Sequence, residues 1–184
     1  LVGGRGKAGG IKKVNSLEEA KATAEKMLGL VLKGYPVETL LVEEAVSEQG
    51  NCYVGVTTDP ANYNVILMAS AEGGVEIEQV ALENPEAILK KEMPDNDKEL
   101  PEAVAKEFAA FLNKGLKGDA ALEAKLADAV SKVYATYQNF DCRVAEINPL
   151  MITQEQEVIT ADAKIVLDDN AIYRLGTLLD TLNI

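Results

Sequence analysis

Four residues near the end of the chain have types and spacing that suit metal-assisted chemistry on oxygen anions. Ala145-Glu146-Ile147-Asn148-Pro149 and Ala161-Asp162-Ala163-Lys164 flank a polar turn, Gln154-Glu155-Gln156-Glu157. On a strand, residues i and i+2 share a face. Glu146 and Asn148 therefore point one way, and Asp162 and Lys164 share a face on the returning strand. A hairpin closed at 154–157 pairs residues whose numbers sum to about 311. That register sets Asp162 opposite position 149, within one residue of Asn148. An Asn carbonyl beside an Asp carboxylate is a hard oxygen pair. It suits Mg2+, which takes few protein ligands and fills its shell with water and phosphate oxygens. Lys164 is placed to balance charge or to reach a phosphate. Ile147, Ala161 and Ala163 are expected on the packed face. A surface hairpin with solvated polar side chains fits the same pattern.

The second candidate is Gly3-Gly4-Arg5-Gly6-Lys7-Ala8-Gly9-Gly10. Glycine-rich backbone leaves N–H groups bare, and a nest of such groups binds anions. Arg5 and Lys7 add charge that suits phosphate. The stretch 4–9 matches G-x-G-x-x-G, but a dinucleotide fold needs a helix opening inside that motif. Here Ile11-Lys12-Lys13-Val14 comes next and prefers a strand, so a strand–loop–strand hairpin is expected. The alternative is a mobile loop with solvated charges.

What is missing narrows the chemistry further. The chain has no histidine and two cysteines among 184 residues. It supplies no Ser-His-Asp or Cys-His machinery and no histidine-ligated zinc. Any metal must be hard and oxygen-liganded. Cys52 and Cys142 are far apart in sequence and are expected to be free thiols in a reducing compartment. Thirty acidic residues against 18 basic ones give a net charge of -12. That balance argues against nucleic-acid partners and anionic membranes. No apolar run reaches the about 18 residues of a membrane helix, and no signal peptide is visible. The chain opens Leu1-Val2 rather than with Met, so a fragment trimmed at its N-terminus is expected.

Several elements must position these groups. Ser16 with Glu19 forms a capping box for a helix over 16–29. Strands are expected at 39–47, 51–58 and 63–70, with a turn at 59–62, as antiparallel neighbours. A helix starts near Val75 after Gly73-Gly74. The stretch 93–99 reads as a loop. Helices are expected at 101–113 and 120–137, the second with Leu122, Leu126, Val130, Val133 and Tyr134 on one face. Short strands at 142–148 and 149–153, a return at 158–165 and a helix at 170–182 complete the chain. Strands cluster in two regions with helices between, which is α+β with mainly antiparallel sheets.

The glycine loop, Ala-Ser-Ala-Glu-Gly-Gly-Val-Glu-Ile-Glu at 69–78, Ala-Glu-Ile-Asn-Pro-Leu at 145–150 and Asp-Ala-Lys at 162–164 fall in order. Together they resemble the ATP-grasp domain of succinyl-CoA synthetase (succinate–CoA ligase, ADP/GDP-forming) β subunits, over essentially the whole chain. The resemblance implies an ATP-grasp fold, with 1–46 the remainder of the smaller subdomain and 47–184 the larger one carrying the Mg2+ hairpin. It implies part of an enzyme that makes succinyl-CoA from succinate, CoA and ATP or GTP. A phosphohistidine on a partner α subunit would carry the phosphoryl group, and CoA would bind mainly outside this chain. By the same resemblance Gly4, Arg5, Gly6, Glu43, Val46 and Asn51 match nucleotide-binding positions. Asn148 and Asp162 match Mg2+ ligands, and Glu146 matches the carboxylate that meets the phosphohistidine. The setting implied is cytoplasmic, or the mitochondrial matrix in a eukaryote, with no nucleic acid or membrane partner.

Departures from that pattern are local. Asn51 stands where the family usually carries a glutamate facing the ribose. The loop near 90–100 is shorter and lacks the usual Asp-Pro. A nucleotide-contacting lysine of the family would precede Leu1. The alternatives are the β subunit of a malate–CoA or citrate–CoA ligase, and a nucleotide-binding module without turnover.

Overall fold

In the computed structural model, which describes residues 6, 8–94 and 98–182, Ser16 caps the first helix, α1 (Leu17–Met27). Its hydroxyl accepts the Glu19 N–H at 3.1 Å. The Glu19 carboxylate reaches back to the Asn15 N–H at 2.8 Å, one residue before the usual capping-box partner. The chain then forms a small hairpin of β1 (Val31–Leu32) and β2 (Tyr35–Pro36). These elements belong to the first of two compact units, Leu1–Val46 and Ser47–Ile184.

Two expected strands are not there. Residues 11–14 and 39–47 take no strand structure. The second run is apolar enough, but Leu41 and Val42 are 84% and 75% exposed. A strand needs a neighbour to take up its backbone groups, and no described strand pairs with either run.

The second unit is built on one antiparallel sheet. It begins with β3 (Glu48–Thr58), β4 (Val65–Ser70), α2 (Ile77–Glu83) and β5 (Ile88–Met93). It continues with α3 (Glu102–Leu116), α4 (Ala120–Asn139), β6 (Cys142–Thr153), β7 (Val158–Thr160) and β8 (Ala163–Leu167). A 3-10 segment (Asp169–Arg174) and α5 (Gly176–Leu182) close the unit. Strand order is β5-β4-β3-β6-β7, and β8 pairs with the other half of β6. The stretch 142–153, expected as two strands, is one. The returning stretch 158–165, expected as one strand, is two, broken at Ala161-Asp162. β5 was hidden in a proline-punctuated region; Met93 ends it, and 95–97 of the expected loop lie outside the described residues.

The sheet has one dry face. Cys52, Val54 and Val56 of β3, Leu67 and Ala69 of β4, and Ala145 and Ile147 of β6 are buried with Phe108, Leu112, Leu122, Leu126, Val130 and Tyr134. The last six come from α3 and α4 at the helical spacing of one face. Full burial of each large side chain contributes roughly 1.5–3 kcal/mol. Asp119 starts α4 by accepting the Ala121 and Leu122 N–H groups, both at 2.9 Å. Ala161 and Ala163, expected to pack, are exposed instead.

β6 carries an irregularity beside the polar residues of the hairpin. Cys52 pairs with Leu150 and Val54 with Ile147, so the Asn148-Pro149 pair opposes Tyr53 alone. Such a bulge keeps the in–out pattern in step on either side of it. Ala145 and Ile147 before it, and Leu150 and Ile152 after it, all reach the core.

Candidate functional site

The face of the sheet turned away from α3 and α4 carries the polar residues. Because Ala145 and Ile147 point into the core, Glu146 between them points out. It pairs with Lys164 of β8. The hairpin register is one residue tighter than expected. Ile147 pairs with Ala163 and Leu150 with Thr160, which puts Asp162 opposite Asn148. The Asn148 N–H donates to the Asp162 carbonyl at 3.1 Å, and the Ala161 N–H to the Pro149 carbonyl at 3.2 Å. Asp162 sits in the gap between β7 and β8, where the strand pairing lapses.

The Asn148 side chain is held at both ends. Its Oδ1 accepts the Gly74 N–H at 2.7 Å, and its Nδ2 donates to the Val75 carbonyl at 2.8 Å. These contacts dock the Gly73-Gly74 turn, and with it the start of α2, against β6. Gly73 lies so close to β3 that a Cβ there would meet Asn51 and the Cys52 backbone at 2.6 Å. Asn51, Gly73, Gly74 and Asn148 thus form one contiguous patch. The Asn51 amide donates to the Glu48 carboxylate.

Sequence reasoning missed Tyr53. Its hydroxyl donates to Glu146 Oε2 at 3.2 Å, and the residue is 2% exposed. Burial first, then the charge of the facing Glu146 carboxylate, holds the phenol above its ordinary range, so it keeps its proton and donates. Lys164 Nζ lies 3.7 Å from the other carboxylate oxygen, Oε1. The two oxygens of Glu146 therefore face a neutral donor and a cation. A cavity of about 230 Å³ opens here, lined by Tyr53, Thr57, Glu78, Lys90, Glu146 and Lys164 among others. The only available signal was the Tyr-Val-Gly spacing at 53–55, which does not by itself reveal a contact.

The donor set of Asn148 and Asp162 fits a hard divalent cation. One residue offers an amide oxygen and the other a carboxylate, and backbone pairing sets them opposite each other across the strands. Asp162 Oδ1 also accepts the Ala163 N–H at 3.1 Å. Among the described residues, no three acidic or thiol side chains gather to hold a metal by themselves. Two protein oxygens suit an ion whose other ligands come from water and phosphate.

The other expected residues lie elsewhere. Gly4 and Arg5 fall outside the described residues. Gly6 is exposed, and its carbonyl accepts the Gly9 N–H at 3.0 Å. Glu43 is exposed and Val46 half-buried, both in the irregular end of the first unit. Cys52 and Cys142 are buried and free. Their thiols donate to the Leu150 and Thr136 carbonyls, both at 3.6 Å. No described helix is long and apolar enough to cross a membrane.

Comparisons with known proteins bear on the family and the fold. The family model described as "ATP-grasp domain" matches residues 1–152. A succinate–CoA ligase [GDP-forming] subunit beta of Thermus thermophilus is 44% identical over 176 residues, covering 94% of this chain and 44% of that protein. An ADP-forming counterpart of Chloroherpeton thalassium is 43% identical over 185 residues, covering 97% and 46%. The chain thus spans less than half the length of these relatives. Among solved structures, ATP citrate lyase of Methanothrix soehngenii, in complex with citrate and coenzyme A, aligns with a TM-score of 0.55 at 17% identity. That alignment covers 89% of this chain and 36% of that one, and shows a shared fold.

Proposed function

The chain belongs to the ATP-grasp domain family, and from that premise we propose that it is the nucleotide-binding part of a succinate–CoA ligase β subunit. In this reading the first unit is the remainder of the smaller ATP-grasp subdomain and the second unit the larger. The reaction joins succinate to CoA using ATP or GTP, through a phosphohistidine on a partner α subunit. The acid is assigned from the names of the relatives. The partner is inferred from their description as subunit beta. Two free thiols agree with a cytoplasmic or other reducing setting.

The observation that carries the reading is the placement of Asn148 opposite Asp162, with Glu146 two residues away on the same face. Phosphoryl transfer needs positioning and charge neutralisation more than covalent help from the protein. Asn148 and Asp162 would hold Mg2+, which when bound neutralises charge on the nucleotide's terminal phosphates. Glu146 accepts a hydrogen bond from the incoming imidazole and orients its nucleophilic nitrogen. Gly4, Arg5 and Gly6 cover the phosphates. Glu43, Val46 and Asn51 contact the rest of the nucleotide, with Asn51 backed by Glu48. CoA binds mainly outside this chain.

The test is calorimetric titration of ADP and GDP into the full-length protein, with and without Mg2+, beside the Asp162→Ala variant. Mg2+-dependent binding should be lost in the variant, together with phosphorylation of the α subunit. Unchanged binding and transfer would refute the metal assignment.

A further inference from the structure

We propose that Tyr53 is the positioning residue for Glu146, and that Gly55 exists to let it reach. This rests on the reading of Glu146 as the carboxylate that meets the phosphohistidine. Tyr53 and Gly55 share a face of β3, and Gly55 pairs directly with Glu146 across the strands. The Tyr53 side chain lies along β3 over Gly55, so that a Cβ added at Gly55 would run into its hydroxyl and ring. The missing side chain at 55 is the space through which the phenol crosses to Glu146 Oε2. The bulge sets two residues, Asn148 and Pro149, opposite Tyr53 on β6.

The arrangement fixes a carboxylate without consuming it. Tyr53 donates one bond to Oε2, and Lys164 faces Oε1. Glu146 lines the cavity, and a carboxylate oxygen that accepts one bond retains capacity for another. A carboxylate that must meet a histidine at one angle gains from losing its own rotation beforehand. A hydrogen bond to a charged group is also among the stronger ones. Phenylalanine at 53 would fill the same space and leave Glu146 with Lys164 as its one remaining partner of the two.

The test uses the full-length protein with its partner subunit and measures phosphoryl transfer from labelled nucleotide to the partner histidine in single turnovers. Tyr53→Phe should slow transfer on the order of tenfold with the nucleotide KM unchanged. It should cause no further slowing in a Glu146→Gln background, because it acts through Glu146. Gly55→Ala should reproduce the Tyr53→Phe defect with the tyrosine still present. Transfer at the wild-type rate in Tyr53→Phe, additive slowing in the double variant, or a raised nucleotide KM would each overturn the assignment. Glu146→Gln alone separates the two readings. If it is slow while Tyr53→Phe is not, only the positioning proposal falls. If Glu146→Gln transfers at the wild-type rate, the reading of Glu146 falls and takes this proposal with it.

Discussion

Asn148 is bound to Gly74 through its side chain, the Gly74 N–H donating to Asn148 Oδ1 at 2.7 Å. The same amide donates to the Val75 carbonyl at 2.8 Å. A proposed metal ligand is therefore also the clasp that holds the turn before α2 on the sheet. Asp162 is exposed, and its Oδ1 accepts the N–H of its own chain neighbour, Ala163.

The two proposed ligands should consequently separate in stability. Asn148→Ala removes an acceptor and a donor from a docked turn, and about 1–2 kcal/mol of stability should go with them. Asp162→Ala should change stability by less than about 0.5 kcal/mol, the usual range for exposed positions. Urea denaturation of both variants without nucleotide or metal measures the difference. Equal losses would show that the Gly74 clasp contributes nothing.

The helical face that buries against the sheet gives a second expectation. Leu126 is fully buried in α4, while Lys132 on the same helix is exposed and pairs with Asp128 one turn before. Leu126→Ala should cost about 2–5 kcal/mol through lost burial and the cavity left behind. Lys132→Ala should stay within about 0.5 kcal/mol, since exposed i,i+4 pairs contribute little. Denaturation midpoints of the two variants decide it.

Both thiols should be silent in the folded protein and costly at high pH. Burial pushes Cys52 from 9.0 up to about 12. Burial, then the nearby Asp141 charge, pushes Cys142 up to about 11. Each raised value means that the folded state holds a proton the unfolded chain gives up. Stability is intact below about pH 9 and falls as pH rises from there toward the folded values. The slope from Cys52 is at most about 1.4 kcal/mol per pH unit. A thiol reagent at pH 8 should label neither cysteine until denaturant is added, when both should react. Rapid labelling without denaturant would contradict the burial.

How far the sequence could be read depended on whether the deciding partner was close by. Helix α4 announced itself through the periodicity of its apolar face, and the hairpin register came within one residue, because both depend on neighbours in the chain. The run 39–47 misled because hydrophobic content does not create a pairing partner. β5 was obscured because Ile88–Met93 carries Lys90, Lys91 and Glu92 between two prolines, and only pairing with β4 makes it a strand. The placement of Glu146, Asn148 and Asp162 on one hairpin was legible from spacing. Tyr53 was not, since its contact spans 93 positions and passes through the absence of a side chain at Gly55.

Gly73 and Gly74 should fail for different reasons when replaced by alanine. A Cβ at Gly73 would meet the Cys52 carbonyl at 2.6 Å and the Cys52 nitrogen at 2.7 Å. Those are backbone atoms of a central strand, which cannot yield without disturbing the pairing of β3. Gly74 has open space around it but sits at φ +68, a conformation that costs a non-glycine residue roughly 1 kcal/mol. Gly74→Ala should therefore give a small stability loss with the Asn148 clasp kept. Gly73→Ala should lose more, because the whole turn must lift from β3 and draw Gly74 away from Asn148. Hydrogen exchange of the Gly74 amide reports this directly. Protection should survive in Gly74→Ala and vanish in Gly73→Ala, and retained protection in both would mean that the close approach to Cys52 is not what holds the turn.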